Sequence, residues 1–468
     1  MRLGSPDPLL EQGFAQIRAE LGLTEAFPPD VLAETAAATV DPHLKHADAR
    51  DVALVTIDPP GSRDLDQAYA AERRASGYRV HYAIADVAAF VRPGGAVDVE
   101  ARRRGQTHYL PDGRVPLHPP DLGEGRASLL PDVERPALLW AMDLDAEGAV
   151  TDFEVRRASV RSRAQLTYAE AQRRIDDGTA DDSLVLLRQV GRLRLAQEAE
   201  RGGVHLDLPE QEVVRGTDGR FGLTFRAALP VEDWNAQISL LTGMCAARLM
   251  VDGGVGLLRT LPAPEGGVVD TLRRSARCLG VPWPSSTGYA EVVRRLDPQV
   301  PAQAALLTAA TRLLRGAGYL AFDGEVPAAH THGAVASAYA HVTAPLRRLA
   351  DRFANEVVLA LSAGTAVPGW ARDALPELPG LMAESGRRDS AVERAVVDLV
   401  EAAVLESRVG STFEGVVVQL REGGGLVQLV DPAVLAFCAG TGLELGSEVR
   451  VRVAVADVTT RKVELTPA

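Results

Sequence analysis

The chain has 468 residues, 46% of them hydrophobic, enough to bury a large core and to form more than one domain. A formal net charge of −13 and a pI near 5.3 exclude a uniformly basic nucleic-acid surface, so any phosphate contact has to come from a local cluster of cations. No run of about 18 apolar residues occurs and the first residues lack an apolar signal stretch, which predicts a cytoplasmic protein without a membrane span.

The three cysteines, Cys245, Cys278 and Cys438, are widely spaced and lack CxxC or Cys/His pairing, so they are expected to be buried small hydrophobes. Lys45 and Lys462 are the two lysines; nearly every cation is arginine. Arginine suits bidentate phosphate contacts, although genome composition produces the same bias and is the larger cause here.

Residues 1–48 form a predicted helical module. Leu9, Leu10, Phe14, Ile17 and Leu21 follow helical spacing, Gly22 supplies a C-terminal stop, and Pro28-Pro29-Asp30 starts a second helix. Two readings follow, a helix-turn-helix-like hairpin or a packing cap on the next domain, and the lack of a basic recognition face favours the cap. From Val52 the pattern turns to short β-branched and aromatic runs, Val52–Ile57, Tyr78–Ala85 and Leu138–Met142, broken by Pro/Gly turns. Helical patterns follow over Asp182–Ala199, Asn235–Met250, Gln303–Leu314, Arg347–Leu361 and Ser390–Ser407. Residues 49–408 are therefore read as one large α+β domain built on a mixed sheet. Phe413–Leu465 reads as about five short strands with Gly-rich turns, so residues 409–468 are predicted to be an OB-fold barrel.

The chemistry gathers in Thr56-Ile57-Asp58-Pro59-Pro60-Gly61-Ser62-Arg63-Asp64-Leu65-Asp66, where a strand runs into a Pro-Gly turn and delivers three carboxylates within nine positions. Asp64 and Asp66 at i and i+2 share a face if the stretch is extended, with Asp58 approaching from the strand end. Such a set can hold divalent cations that neutralise a phosphate and activate water. Surface acids and Asx turns generate the same D-x-D spacing, and on spacing alone that plain reading leads. His330-Thr331-His332 has no third ligand at metal spacing and is read as structural. Gly423-Gly424-Gly425 lacks a following helix and is read as a barrel turn, so no nucleotide cofactor site is expected.

With Tyr339-Ala340-His341-Val342-Thr343-Ala344-Pro345-Leu346-Arg347-Arg348, the acidic segment resembles the ribonuclease II / ribonuclease R (RNB) family. Further blocks fall in family order: His81–Val91, Gln106–Pro111, Arg114–Leu117, Ala127–Leu129 and Leu166–Tyr168. The resemblance runs from about Asp51 to the C-terminus, whose barrel is similar to the family's ribosomal-protein-S-one-type RNA-binding domain. It implies an RNB catalytic domain acting as a processive 3′→5′ exoribonuclease that releases nucleoside 5′-monophosphates from single-stranded RNA with magnesium, or alternatively manganese, as a monomer. It implies Asp58, Asp64 and Asp66 as metal ligands, Asp66 being the most essential acid. Arg347 would neutralise the scissile phosphate with Arg348 beside it, Tyr109 and Tyr168 would contact nucleotides at the 3′ end, and Glu393 would touch a ribose hydroxyl.

The sequence departs from the family in three places. Gln67 stands where a further aspartate is usual, and Asp86 is the candidate to compensate. The segment Trp234–Gly243 lacks the acids the family carries there, and residues 1–48 leave no room for the usual cold-shock-type barrels. The alternatives are a catalytically inactive RNA-binding regulator on the same fold, a small-phosphoester hydrolase and a scaffold protein.

Overall fold

The structure is a computed structural model and describes residues 8–206, 210–215, 221–298, 300–429 and 431–468; the residues read above as lacking a signal stretch, 1–7, lie outside it. Helix α1 (Pro8–Glu20) buries Leu10, Phe14 and Ile17, and the chain turns at Gly22 with φ +65°, a conformation that favours glycine. Helix α2 (Pro29–Ala37) begins at the expected proline pair. The two helices join different cores. Phe14 packs edge-on to Phe221 at 5.3 Å between ring centroids, whereas Val31 of α2 packs beneath the main sheet.

That sheet has seven strands: β1 (Ala47–Asp48), β2 (Val55–Asp58), β3 (Gln67–Arg74) and β4 (Gly77–Ala85), then β7 (Glu134–Asp145), β8 (Val150–Arg161) and β9 (Ala164–Thr167). Between β4 and β7 lie helix α3 (Ala96–Arg104) and the hairpin β5 (His108–Leu110)–β6 (Gly113–Val115). The sheet order is β1-β8-β7-β4-β3-β2-β9, antiparallel through its centre, with β9 parallel to β2 and β1 parallel to β8. Strand β7 is nearly continuous in apolar residues because both of its faces are covered. Leu138, Trp140, Met142 and Leu144 enter the larger core, while Ala137 and Leu139 enter a tighter one with Ala68, Ala83 and Ala85. The period of two thus sends alternate side chains to the two cores, with alanines prominent in the tighter one.

Helices α4 (Tyr168–Asp176) and α5 (Asp182–Arg201) follow β9. The Asp181 side chain caps α5 by accepting from Leu184 N at 2.9 Å, and Gly202 at φ +80° ends it. After the hairpin β10 (Glu210–Arg215)–β11 (Phe221–Arg226), helix α6 (Pro230–Gly253) lies in the larger core. Strands β12 (Val255–Thr260) and β13 (Gly318–Asp323) pair and pack in the larger core, while the helices between them, α7 (Gly266–Cys278), α8 (Tyr289–Arg294) and α9 (Pro301–Ala310), build a satellite unit with its own apolar cluster. Cys278 is exposed on it, correcting the expectation of three buried thiols; Cys245 and Cys438 are buried.

After the short pair β14 (Thr331–His332)–β15 (Ser337–Ala338), helix α10 (Leu349–Ser362) starts two residues later than periodicity predicts. The Arg347 carbonyl accepts from Thr107 N at 2.9 Å, Arg347 sits in a turn closed by Arg348 N on Ala344 O at 2.9 Å, and Arg348 is extended and bridges to Gln106, so the helix starts after both arginines. Helices α11 (Gly369–Ala374) and α12 (Leu378–Glu406) follow. Helix α12 begins twelve residues before the expected Ser390, because its first turns carry Glu384, Arg387 and Arg388 and dilute the apolar period.

Strands β16 (Thr412–Arg421), β17 (Gly424–Leu429), β18 (Leu435–Ala439), β19 (Glu448–Asp457) and β20 (Lys462–Pro467) close a barrel in the order β16-β17-β18-β20-β19, with β18 and β20 parallel. This is the OB arrangement, and the fold is α+β as expected. The barrel shares a core with α1 and the second half of α12. At that junction Glu401 accepts from Leu435 N and from Gln211 Nε2, both at 2.7 Å. Burial pushes its carboxyl up to about 7, against the pull of those two donors.

A folded-state value above the unfolded one means that the native protein holds the extra proton. The group's contribution is therefore full below about pH 4.5 and is lost as pH rises through about 7. Glu401→Gln keeps the acceptor without the charge. Its melting temperature should match wild type at pH 5 and exceed it at pH 8, the gap approaching about 3 kcal/mol at most in stability by urea titration.

Candidate functional site

Strand β2 ends at Asp58 beside β9, whose partner residue there is Thr167, so Asp58 and Tyr168 stand at neighbouring strand ends. The chain then turns through Pro59-Pro60-Gly61, with Gly61 at φ +81°, and returns into β3 at Gln67. The returning stretch is pinned by Ser128, whose hydroxyl accepts from Leu65 N at 2.9 Å and donates to Arg63 O at 2.6 Å. Asp66 O accepts from Ala85 N at 2.9 Å. Asp58, Asp64 and Asp66 are thereby turned into one cavity of about 480 Å³, together with Tyr109, Tyr168 and Arg347. Six of the eight residues singled out in the sequence line it.

The acids are not equivalent. Asp66 is buried; its Oδ1 accepts from Leu346 N at 2.7 Å, and Arg347 Nε stands 3.3 Å from Oδ2 without hydrogen-bond alignment. Burial pushes its carboxyl up to about 8 against the pull of Arg347 and Leu346 N–H, with Asp64 adding to the rise. Burial likewise lifts Asp58 to about 6, opposed by Arg347. The Oδ2 atoms of both Asp58 and Asp66 are buried without a hydrogen-bond partner. Such atoms are costly unless something else completes them. Asp64 is already engaged: Arg114 Nη1 lies 2.6 Å from Oδ1 and the Tyr109 hydroxyl donates to Oδ2 at 3.0 Å.

Tyr109 is half exposed in the middle of β5, opposite Arg114, and is brought over the site by the backbone pairing of residues 105–107 with 347–349. Tyr168 opens α4, and its hydroxyl lies near the Asn235 side chain of α6. The α6 segment that lacks acids therefore reaches the site through neutral groups, with Ser239 Oγ 2.8 Å from Thr343 Oγ1.

Four residues stand elsewhere or act differently from expectation. Arg348 does not line the cavity: its guanidinium is bound to both oxygens of Asp351, at 2.5 and 2.7 Å, beneath the loop. Glu393 is exposed on α12, one turn beyond Asp389, whose carboxylate is 2.9 Å from His108 Nδ1. Asp86 cannot compensate for Gln67, because it is buried against Arg157 at 2.8 Å and His46 at 3.4 Å. Gln67 lines the cavity, but both ends of its amide are engaged. Nε2 donates to Thr343 O at 2.7 Å and Oε1 accepts from the Tyr82 hydroxyl at 2.5 Å. A carbonyl only accepts, which fixes the amide orientation.

Arg114 was missed as a site residue. It also binds Glu124 at 2.7 Å, and its presence in the Arg114–Leu117 block was the available signal. Among the described residues no three His, Cys, Asp or Glu side chains converge as a ready metal cage. The two unpartnered oxygens of Asp58 and Asp66 are nevertheless the donors a hard cation needs.

Fold and site together define a class: an α+β domain with a carboxylate- and arginine-lined cavity at its strand ends, joined to an OB barrel. The RNB domain matches residues 46–362 and the RNase II-type exonuclease C-terminal S1 domain matches residues 411–468. The chain belongs to the RNB domain family. It is 31% identical over 331 residues to the exosome complex exonuclease RRP44 homolog A of Arabidopsis thaliana, covering 67% of this chain and 35% of that protein. It is 26% identical over 469 residues to ribonuclease R of Escherichia coli, covering 89% and 57%. The chain thus spans about a third to three fifths of the length of these relatives. Among solved structures, Mycoplasma genitalium RNase R in complex with ribose methylated single-stranded RNA superposes with a TM-score of 0.89 at 18% identity, over 99% of this chain and 78% of that one. Yeast Ssd1, described as a pseudonuclease, gives 0.76 at 15% identity, over 95% and 57%; these two likenesses concern the fold alone.

The Asp351 carboxylate, which also accepts from Ala344 N at 2.8 Å, holds the loop that carries Leu346 and Arg347. Asp351→Ala should cost about 3–5 kcal/mol in urea unfolding, since it strands a buried guanidinium. In a double-mutant cycle, Arg348→Met should recover part of that loss.

Proposed function

We propose that this chain is a metal-dependent, processive 3′→5′ exoribonuclease that hydrolyses single-stranded RNA to nucleoside 5′-monophosphates. The observation that carries the reading is the pair of buried, unpartnered oxygens on Asp58 and Asp66 beside the Arg347 guanidinium, in a cavity flanked by two tyrosines. Asp58 and Asp66 would hold a divalent cation, magnesium or alternatively manganese, with Asp64 joining once it leaves Arg114. When bound, the cation supplies charge neutralisation and lowers the pKa of water. Arg347, half exposed and already drawn to Asp66, can fork onto the scissile phosphate. Tyr109 and Tyr168 offer aromatic faces to the 3′ nucleotides.

Glu393 belongs to the approach rather than the cavity, where a ribose hydroxyl is its expected contact. Arg348 acts beneath the site by holding Asp351. The module boundaries at 48 and 408, a monomeric state and a cytoplasmic location complete the proposal. No helix among the described residues is long and apolar enough to cross a membrane.

A second reading, an RNA-binding protein without hydrolysis, draws on Gln67, whose amide is spent on Tyr82 and Thr343 rather than on a ligand. Incubation of 5′-labelled single-stranded RNA with magnesium separates the two. The exoribonuclease reading expects shortening from the 3′ end, a matching DNA strand left intact, and at least about a thousandfold loss in Asp66→Asn. Binding of RNA without cleavage under any divalent metal would establish the second.

Two further outcomes are expected. Magnesium affinity should rise with pH towards 8 and its uptake should release protons, seen by calorimetry in buffers of different ionisation enthalpy, because Asp66 and Asp58 must give up protons held at about 8 and about 6. Gln67→Asp should lower turnover instead of raising it, because the shorter acid drops the bond to Thr343 O.

A further inference from the structure

A second cavity, of about 610 Å³, lies where the satellite unit meets the barrel and shares no lining residue with the carboxylate cavity. Its helical wall presents Arg274 from α7 and, just beyond α9, Arg312 and Arg315. Its barrel wall is largely apolar and includes Val418, Leu443 and the half-exposed Leu420. At one edge the walls touch: Gly446 turns at φ +78° against α9 and the end of α7, leaving no room for a Cβ beside Leu279 Cδ2. The cleft is therefore built by packing rather than by a loose loop.

In a chain with a net charge of −13, three guanidinium groups meeting in one cleft need a reason. Arg274 donates to a neutral oxygen, Thr271 Oγ1 at 2.8 Å. Arg312 and Arg315 are exposed and, among the described residues, no hydrogen bond or ion pair engages them. The acid in the lining is Glu444, so three guanidinium groups against one carboxylate leave an excess of two positive charges. The hydroxyls of Thr271, Ser275, Thr308 and Thr311 already donate to backbone carbonyls, at 2.8, 3.2, 3.0 and 2.8 Å. They can therefore offer a ligand lone pairs but no hydrogens, and the unspent donors of the helical wall are its guanidinium groups.

We propose that this cleft binds a small phosphomonoester with a hydroxylated, partly apolar body, the chemistry shared by nucleoside monophosphates and sugar phosphates. A phosphomonoester carries about −1.5 to −2 at pH 7, which matches the excess of two, and its three terminal oxygens suit arginine forks. The lone pairs of the helical wall suit hydroxyl or amine hydrogens on the body, the leucines suit its apolar face, and the volume is that of a small-ligand site. An RNA backbone fits less well, because each diester carries a single charge and the lining has no aromatic ring on which a base would stack. The site is separate from the carboxylate cavity and independent of the exoribonuclease reading.

The test is calorimetric titration of the whole chain with adenosine 5′-monophosphate and with ribose 5-phosphate, in EDTA so that no metal draws either probe to the carboxylate cavity. At least one should bind wild type with a stoichiometry of one, and Arg312→Ala/Arg315→Ala should weaken it at least about tenfold. Tighter binding of adenosine monophosphate makes this a nucleotide site; equal binding makes it a sugar-phosphate site. Leu420→Asp sets an acid opposite the arginines from a half-exposed position and should give a similar loss at an unchanged melting temperature. Arg347→Ala, in the other cavity, should bind the probe as wild type does. Failure of both probes to bind wild type, wild-type affinity in the double arginine variant, or loss of binding in Arg347→Ala would each overturn the proposal. So would inorganic phosphate binding as tightly as the better probe, which would leave a bare anion site. An oligoadenylate of about twenty nucleotides with hydroxyl ends should bind the double arginine variant as it binds wild type; a loss equal to that of the probe would hand the cleft to an RNA backbone instead. Absence of RNA hydrolysis in magnesium, by contrast, would sink the exoribonuclease reading and leave this result standing.

Discussion

The hydrogen bond from Leu346 N to the Asp66 carboxylate joins two segments 280 residues apart, and the site exists because of it. Neither segment is functional alone. The Pro-Gly turn supplies acids, and the loop before α10 supplies a guanidinium; the bond brings them within 3.3 Å in a buried place. Burial then raises the Asp66 carboxyl, so the site without a cation is a store of protons and unpaired lone pairs. Stability is conceded locally and recovered by the sheet below and by the Asp351–Arg348 pair, which anchors the loop from behind.

Departures from the family pattern gain a physical meaning in this frame. Gln67 is not a weakened ligand but a tie between β3 and the loop, and its amide bridges Tyr82 to Thr343 where an acid could not donate. The neutral α6 segment does the same through Ser239. Around the cavity these neutral groups supply hydrogen bonds that stiffen its walls.

Much of this was legible in the sequence because the informative features are local. The D-x-D turn, the strand alternation in β4 and β7 and the five-strand rhythm after Phe413 are written in consecutive residues. What was not legible depends on distant partners. Arg348 reads like Arg347, but Asp351 turns it away from the cavity. Asp86 reads like a spare ligand until Arg157, 71 positions on, is seen to hold it. The early start of α12 was masked by polar turns, and the exposure of Cys278 depends on how the satellite unit meets the barrel. Spacing says which side chains can share a face, not which partner reaches them first.

Helix α12 runs for 29 residues, about 44 Å at 1.5 Å per residue, from the α3 wall to the barrel. Its Val396, Val400 and Val404 lie in the same apolar cluster as Val417, Val427 and Leu465 of the barrel and Phe14 of α1. The barrel is thus not an attachable module. Cutting the chain before β16 would leave that seam wet, and the fragment would associate with itself before its chemistry could be assayed. Shuffling such a barrel between homologous genes would succeed only if the facing rows of α1 and α12 travelled with it, so the three segments are best regarded as one heritable unit.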